Sequence, residues 1–305
     1  MKAGTNLEKI LEAGKFAVTA EAGPPKGTSA TVIQRKGELL RLCCDAINIT
    51  DNQTAIVRMS SFAGCIILKQ QGIDPVMQMV CRDKNRIAIQ SDILGAAALG
   101  IGNVLCLSGD HQKFGNHPAS KGVFDIDSVQ LLQTLKTMRD DKKFLSGDDI
   151  TGDVPLFIGA VENPYADPFR FRVTRLRKKI KAGADFIQTQ AVYDVAKFAE
   201  WMEIVTEENL VGQVHILAGV IPIRSAGMAH YMRDYVSGVS IPNEIVTRME
   251  QAEDAKREGL AIAIEVIEQL KEIPGVHGIH IMAVGWEDAV PEIVERTGLL
   301  PRPML

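Results

Sequence analysis

Short apolar, β-rich runs alternate with longer amphipathic stretches along the whole chain, the pattern of βα units on a parallel sheet. The runs lie at 16–22 (FAVTAEA), 46–50 (AINIT), 75–81 (PVMQMVC), 103–108 (NVLCLS), 154–161 (VPLFIGAV), 185–190 (DFIQTQ), 214–220 (VHILAGV) and 278–284 (GIHIMAV). Helical periodicity separates them, as at 30–44, 171–183 and 256–272. Eight strands with helices between them fit a closed (β/α)8 TIM barrel better than an open doubly wound sheet, the main alternative. No composition shift, Pro-rich linker or internal repeat divides the 305 residues, so residues 1–305 are expected to form a single α/β barrel domain.

In a barrel of this kind catalytic groups sit at the C-terminal strand ends, where polar residues stand out against aliphatic interiors. Strand one ends Glu21-Ala22-Gly23-Pro24-Pro25. A carboxylate there points into the barrel mouth, and burial raises a carboxyl pKa, which makes Glu21 a candidate proton donor. A surface glutamate at a strand exit is the plainer alternative. Strand two ends Asn48-Ile49-Thr50-Asp51-Asn52, strand three carries Gln78, and strand four ends Ser108-Gly109-Asp110-His111. Gly109 lets backbone approach a ligand closely, with Asp110 beside it, although Ser-Gly-Asp is also an ordinary turn. A polar loop over 111–125 follows, long enough to suggest function.

Strand six ends Gln188-Thr189-Gln190, and alternation puts both amides on one side. They require partners: a heteroaromatic ring with donors and acceptors, or else a barrel-filling polar network. The basic residues Arg175, Arg177, Lys178, Lys179 and Lys181 read as a solvated helix face, with Lys179 the exception if a cofactor phosphate reaches it. His111 and His117 lie in the long loop within reach of a ligand, whereas His215, His230, His277 and His280 are assigned structural roles.

Composition narrows the class. Hydrophobic residues make up 46% and charged residues 24%, and the net charge is −4 without a basic block, which argues against nucleic acid and anionic membranes as partners. The N-terminal MKAGTNLEKILEAGKF mixes charge into every turn, unlike a signal peptide, and no window reaches membrane-spanning length, so a cytoplasmic protein is expected. The five cysteines form no CxxC pair and read as free buried thiols, with one of the vicinal Cys43 and Cys44 facing the core. The six histidines lack metal-ligand spacing, and no metal is expected.

Taken in order, the strand ends resemble the methylenetetrahydrofolate reductase family. The matching pieces are AEAGPP, NIT, LSGD, AGA-x-x-x-x-TQ over 182–190, GVIP, and the segment Ile241-Pro242-Asn243-Glu244-Ile245. They span nearly the whole chain, and their joint spacing is more specific than any one piece. The resemblance implies a flavoprotein oxidoreductase of one-carbon metabolism that reduces 5,10-methylenetetrahydrofolate to 5-methyltetrahydrofolate. It implies Glu21 as the general acid that opens the folate's imidazolidine ring and Asp110 as a carboxylate near both flavin and pterin. It implies Gln190 as a folate hydrogen-bonding group and Thr50, Gly109 and Lys179 as flavin contacts.

The chain departs from familiar bacterial members at positions beside the flavin, with Gln78 for histidine and Ser108 for arginine, which leaves FAD and FMN both open. It has Ala226 where they carry a phenylalanine used for folate and nicotinamide. The chain is therefore similar to divergent, anaerobe-type reductases, with electrons from NAD(P)H or through an electron-transfer partner subunit and a homo- or hetero-oligomeric state. Two other classes remain: a methyltetrahydrofolate methyltransferase barrel that binds the pterin without flavin, and a non-catalytic subunit of a larger complex.

Overall fold

The computed structural model describes residues 1–236 and 238–305. Eight strands close into a parallel barrel in chain order: β1 (Ala17–Ala22), β2 (Ala46–Ile49), β3 (Pro75–Val80), β4 (Asn103–Leu107), β5 (Phe157–Glu162), β6 (Phe186–Ala191), β7 (His215–Val220) and β8 (Val276–Ile281). Closure comes from β8, which pairs with β1 in the register Val18↔Ile279 and with β7 on its other edge. The open-sheet alternative is thereby excluded. Every expected strand is present, but β5 begins and ends later than the sequence suggested and β8 begins and ends earlier.

The helices are α1 (Asn6–Glu12), α2 (Ala30–Leu40), α3 (Ser61–Gln70), α4 (Arg86–Ala98), α5 (Ser128–Lys136), α6 (Phe171–Ala182), α7 (Val195–Glu207), α8 (Ala226–Tyr235), α9 (Asn243–Gln251), α10 (Ala255–Lys271) and α11 (Ala289–Arg296). Several start at side chains that accept otherwise orphaned N–H groups. Asn85 caps α4, Asp194 caps α7, and Asp127 with Gln130 forms a capping box on α5. Gly183, at φ 115°, ends α6 in the left-handed region. The 30–44 pattern breaks at Leu40, and the segment beyond it turns both Cys43 and Cys44 inward, not one of them. Their sulfurs lie 3.9 Å apart, and all five cysteines are buried and free.

The core has two parts. One lies between barrel and helices. The other fills the lower barrel, where Leu7, Ile10 and Leu11 of α1 meet Phe157, Phe186 and Leu217. Around this plug, three aspartates each stand one residue before a strand. Asp45 accepts from the Val18 N–H at 2.8 Å and takes the Arg302 guanidinium at 2.6 and 3.1 Å. Asp185 accepts from the Ile158 N–H at 2.7 Å and from Arg139 at 2.7 Å, and Lys2 also reaches it. Asp74 accepts from Asn103 Nδ2 and from the Asn6 N–H, both at 3.0 Å. Among the described residues, no helix is long and apolar enough to cross a membrane.

Candidate active site

The upper ends of the strands surround a cavity of about 470 Å³. Glu21, Gln78, Ser108, Gly109, Asp110, Lys179 and Gln190, all singled out in the sequence, lie in its wall. Thr50 does not. It is buried behind the wall, and its hydroxyl has no hydrogen-bond partner.

Glu21 stands on β1 with its side chain 13% exposed. Its Oε1 accepts from Gln78 Nε2 at 3.0 Å and lies 3.8 Å from Nε2 of His280. His280 was expected to be structural, but it belongs to the cavity wall. Its Nδ1 is 2.9 Å from the Thr19 hydroxyl, which fixes the ring beneath Glu21. Thr19 also accepts from Gln188 Nε2 at 3.1 Å, and Gln188 exchanges amide hydrogen bonds with Asn48 at 2.7 and 3.2 Å. Gln188 is therefore satisfied by a barrel-filling network, the second of its two expected fates.

The strict alternation expected of strand six fails at a bulge. The β6–β7 register shifts between Gln188 and Ala191, and the Gly219 N–H donates to the Thr189 hydroxyl at 2.9 Å. As a result Gln188, Thr189 and Gln190 all reach the cavity. Gln190 Oε1 accepts from the Ala191 N–H at 3.1 Å, which leaves its amide nitrogen for other partners.

After β4, Gly109 has φ +87°, a conformation L side chains rarely adopt, and a Cβ there would come within 3.1 Å of Val80 and 3.2 Å of Arg82. Ser108 bonds to Ser128 at 3.1 Å. The exposed Asp110 carboxylate accepts from the Thr54 N–H at 3.1 Å. Its carbonyl accepts from Arg82, whose buried guanidinium also donates to the Asn52 carbonyl at 3.1 Å and grips Asp83 at 2.7 Å. One side chain thus joins the loops after β2, β3 and β4. That rim holds Asn52, Thr54 and Ala55 at φ 43°, 56° and 56°, left-handed values that cost energy in non-glycine residues.

Opposite lies a buried ion pair missed in the sequence: Lys179 Nζ to Glu162 Oε2 at 2.6 Å, with Nζ also donating to the Val161 carbonyl. Burial pulls the Lys179 ammonium below its ordinary value; Glu162 opposes that, while Arg175 and Arg172 push the same way. Arg175, expected on a solvated face, lines this side of the cavity together with Arg172. On the opposite side, beside Asn52, Asp51 also lines the cavity; it is buried with one backbone donor, the Val80 N–H at 3.1 Å, and burial raises its pKa. His111 and His117 are exposed and lie outside the wall, as does Ala226 at the start of α8. The sequence held one signal for Glu162: it directly follows an apolar run, as Glu21 sits within one.

The profile of the Methylenetetrahydrofolate reductase family matches residues 6–298. Methylenetetrahydrofolate reductase 2 of Schizosaccharomyces pombe is 25% identical over 322 residues, taking in 99% of this chain and 48% of that protein. Methylenetetrahydrofolate reductase 1 of the same yeast is 26% identical over 234 residues, 75% of this chain and 36% of that protein. The chain therefore spans less than half the length of either relative. Among solved structures, an uncharacterized protein from Clostridium thermocellum that binds two copies of 5-methyl-5,6,7,8-tetrahydrofolic acid superposes with a TM-score of 0.68. The match covers 97% of this chain and 100% of that one at 16% identity, a likeness of fold.

Proposed function

The chain belongs to the methylenetetrahydrofolate reductase family, and from that premise we propose that its barrel reduces 5,10-methylenetetrahydrofolate to 5-methyltetrahydrofolate. The observation that carries the reading is Glu21, a largely buried carboxyl group in the cavity wall between an amide and an imidazole. The folate-binding barrel with the same fold supports the substrate class.

In this reading Glu21 gives its proton to the ring nitrogen that leaves as the imidazolidine opens, producing an iminium at the other nitrogen. His280, held by Thr19, lies close enough to pass a proton back to Glu21 after a small movement. The free amide nitrogen of Gln190 and the second oxygen of Asp110 offer a donor and an acceptor to the edge of a pterin ring. The strained rim and the bulged β6 set these groups before substrate arrives.

A reduced flavin, when bound, would supply the hydride that converts the iminium to the methyl group. The residues present fit such a group. Gly109, at φ +87°, lines the cavity without a side chain, and Lys179 and Arg175 bring cationic groups to its wall. Ser108, Gly109 and Asp110 would hold the ring system, and Lys179 with its neighbour Arg175 the anionic part. Ala226 offers no aromatic face for a nicotinamide, which favours electrons delivered through a partner subunit over direct transfer from NAD(P)H. Rapid bleaching of the flavin by NADH alone would overturn that preference.

The test begins with the visible spectrum of the purified protein and chromatography of the released cofactor. Flavin peaks are expected; a colourless protein that neither FAD nor FMN reconstitutes would point to the flavin-free methyltransferase class. Glu21→Gln should then keep the flavin yet lose folate reduction by about 10³-fold, the usual scale of general acid catalysis.

A further inference from the structure

The carboxyl group of Glu21 makes one hydrogen bond among the described residues, and its partner is Gln78. Gln78 is 6% exposed and sits mid-strand, its backbone paired in register with Leu105 and its carbonyl accepting from the Ser61 hydroxyl at 2.7 Å. The strand, not the ligand, therefore fixes where its amide is. Its Nε2 points at Glu21, and no described residue donates to its Oε1.

Other charged groups near Glu21 are otherwise engaged. His280, from β8, stands at 3.8 Å, beyond hydrogen-bond length, with its Nδ1 on Thr19. From β2, the residue in register with Glu21 is the neutral Asn48, already bonded to Gln188. From α2, packed behind β1, Lys36 donates to the Gly23 carbonyl and to Glu287. Across the cavity Lys179 is paired with Glu162.

We infer that Gln78 is a positioning residue that holds the Glu21 carboxyl group in both of its protonation states. The inference rests on the reading of Glu21 as the acid. A primary amide carries two donors at one end and an acceptor at the other. With Glu21 ionised, the N–H donates to the carboxylate, as seen here. Once Glu21 is protonated its O–H becomes a donor, and a half-turn of the last Gln78 torsion, which is broad and two-fold, brings Oε1 to accept it. The acid stays in one place while its proton comes and goes. Without the amide, the carboxyl group is free to close the gap to His280, off the line to substrate. This assigns Gln78 to the acid, where the family resemblance placed it against the cofactor.

The experiment uses the full chain with Gln78→Met, which keeps length and loses both hydrogen-bonding ends, and Gln78→His, which keeps a donor and an acceptor. Carboxyl-labelled glutamate, with the Glu21 resonance identified by its loss in Glu21→Gln, gives the Glu21 titration by NMR without substrate. FMN and FAD titrations give cofactor affinity, and methylenetetrahydrofolate kinetics give kcat and KM. Gln78→Met frees the Glu21 carboxyl group from its partner. Its kcat should fall about ten- to a hundredfold, the scale of a misplaced reacting group, with KM and flavin affinity within about twofold. Gln78→His should recover most of kcat.

A kcat within about twofold of the unmodified protein overturns the inference. So does a kcat loss matched by an equal loss of flavin affinity, which would return Gln78 to the cofactor. If the Met variant does not fold, the Gln78 side-chain amide resonance in the unmodified protein serves instead. It must move with the Glu21 titration, and a flat response overturns the inference as well. Absence of folate reduction in the unmodified protein, with the NMR coupling intact, would sink the reaction and leave the Gln78–Glu21 pairing standing.

Discussion

The lower and upper ends of this barrel treat buried polar groups in opposite ways. Below, Asp45, Asp74 and Asp185 are each met by backbone and side-chain donors, and two of them by guanidinium groups. The plug of α1 then excludes water beneath the sheet. Above, Asp51 has a single backbone N–H and Glu21 a single amide. One strand, β2, has Asp45 before it and Asp51 after it, so the difference is not one of local propensity. Saturated polar groups close a fold; unsaturated ones, held in place by strain and packing, are capacity left for a ligand.

Substitutions at the two ends put this contrast to the test. The largest effect is expected from Asp45→Ala, which leaves the Arg302 guanidinium and the Val18 N–H buried without their acceptor. Denaturant unfolding should show a loss of about 3–5 kcal/mol with flavin affinity unchanged in the folded protein. A loss below about 1 kcal/mol, the range of an exposed pair, would mean that the lower end is not the closed structure described. Gly109→Ala should cost less stability, about 1–3 kcal/mol for its left-handed backbone and the crowding of Val80 and Arg82. It should also weaken flavin binding in a fluorescence titration, which Asp45→Ala should not.

The smallest effect is one of slope. Burial raises the Asp51 pKa, so folding takes up a proton between the unfolded and folded values. The stability that Asp51 contributes is complete below the unfolded value and is lost as pH rises through the folded one. Asp51→Asn removes that dependence and should melt at or above the native protein near neutral pH. Melting temperatures measured from about pH 4 to about pH 8 check it, and parallel curves for the two proteins would show that Asp51 is solvated.

Much of this was legible in the chain itself, for a physical reason. The fold rests on eight apolar runs, which burial on both faces of a parallel sheet requires. Glu21 was legible because a carboxylate interrupts such a run. Glu162 escaped because it falls one residue beyond its run, where VEN reads as an exposed turn, and only its partner Lys179 was flagged. His280 escaped because its place in register with Thr19, beneath Glu21, exists only once β8 closes against β1. Gln188 was legible as a polar interior residue, but its partners Asn48 and Thr19 lie on other strands, and only closure of the barrel brings them together. The β6 bulge left no trace in the spacing of Gln188 and Gln190.

Barrel enzymes are often regarded as scaffolds whose loops can be exchanged one at a time. The grip of Arg82 on the Asn52 carbonyl, Asp83 and the Asp110 carbonyl denies that freedom here. Three successive loops share one guanidinium, so a change of length or sequence in any of them is felt by the other two. For evolution or for design, this quarter of the barrel is a single heritable unit, and new specificity would enter it by replacement of all three loops together.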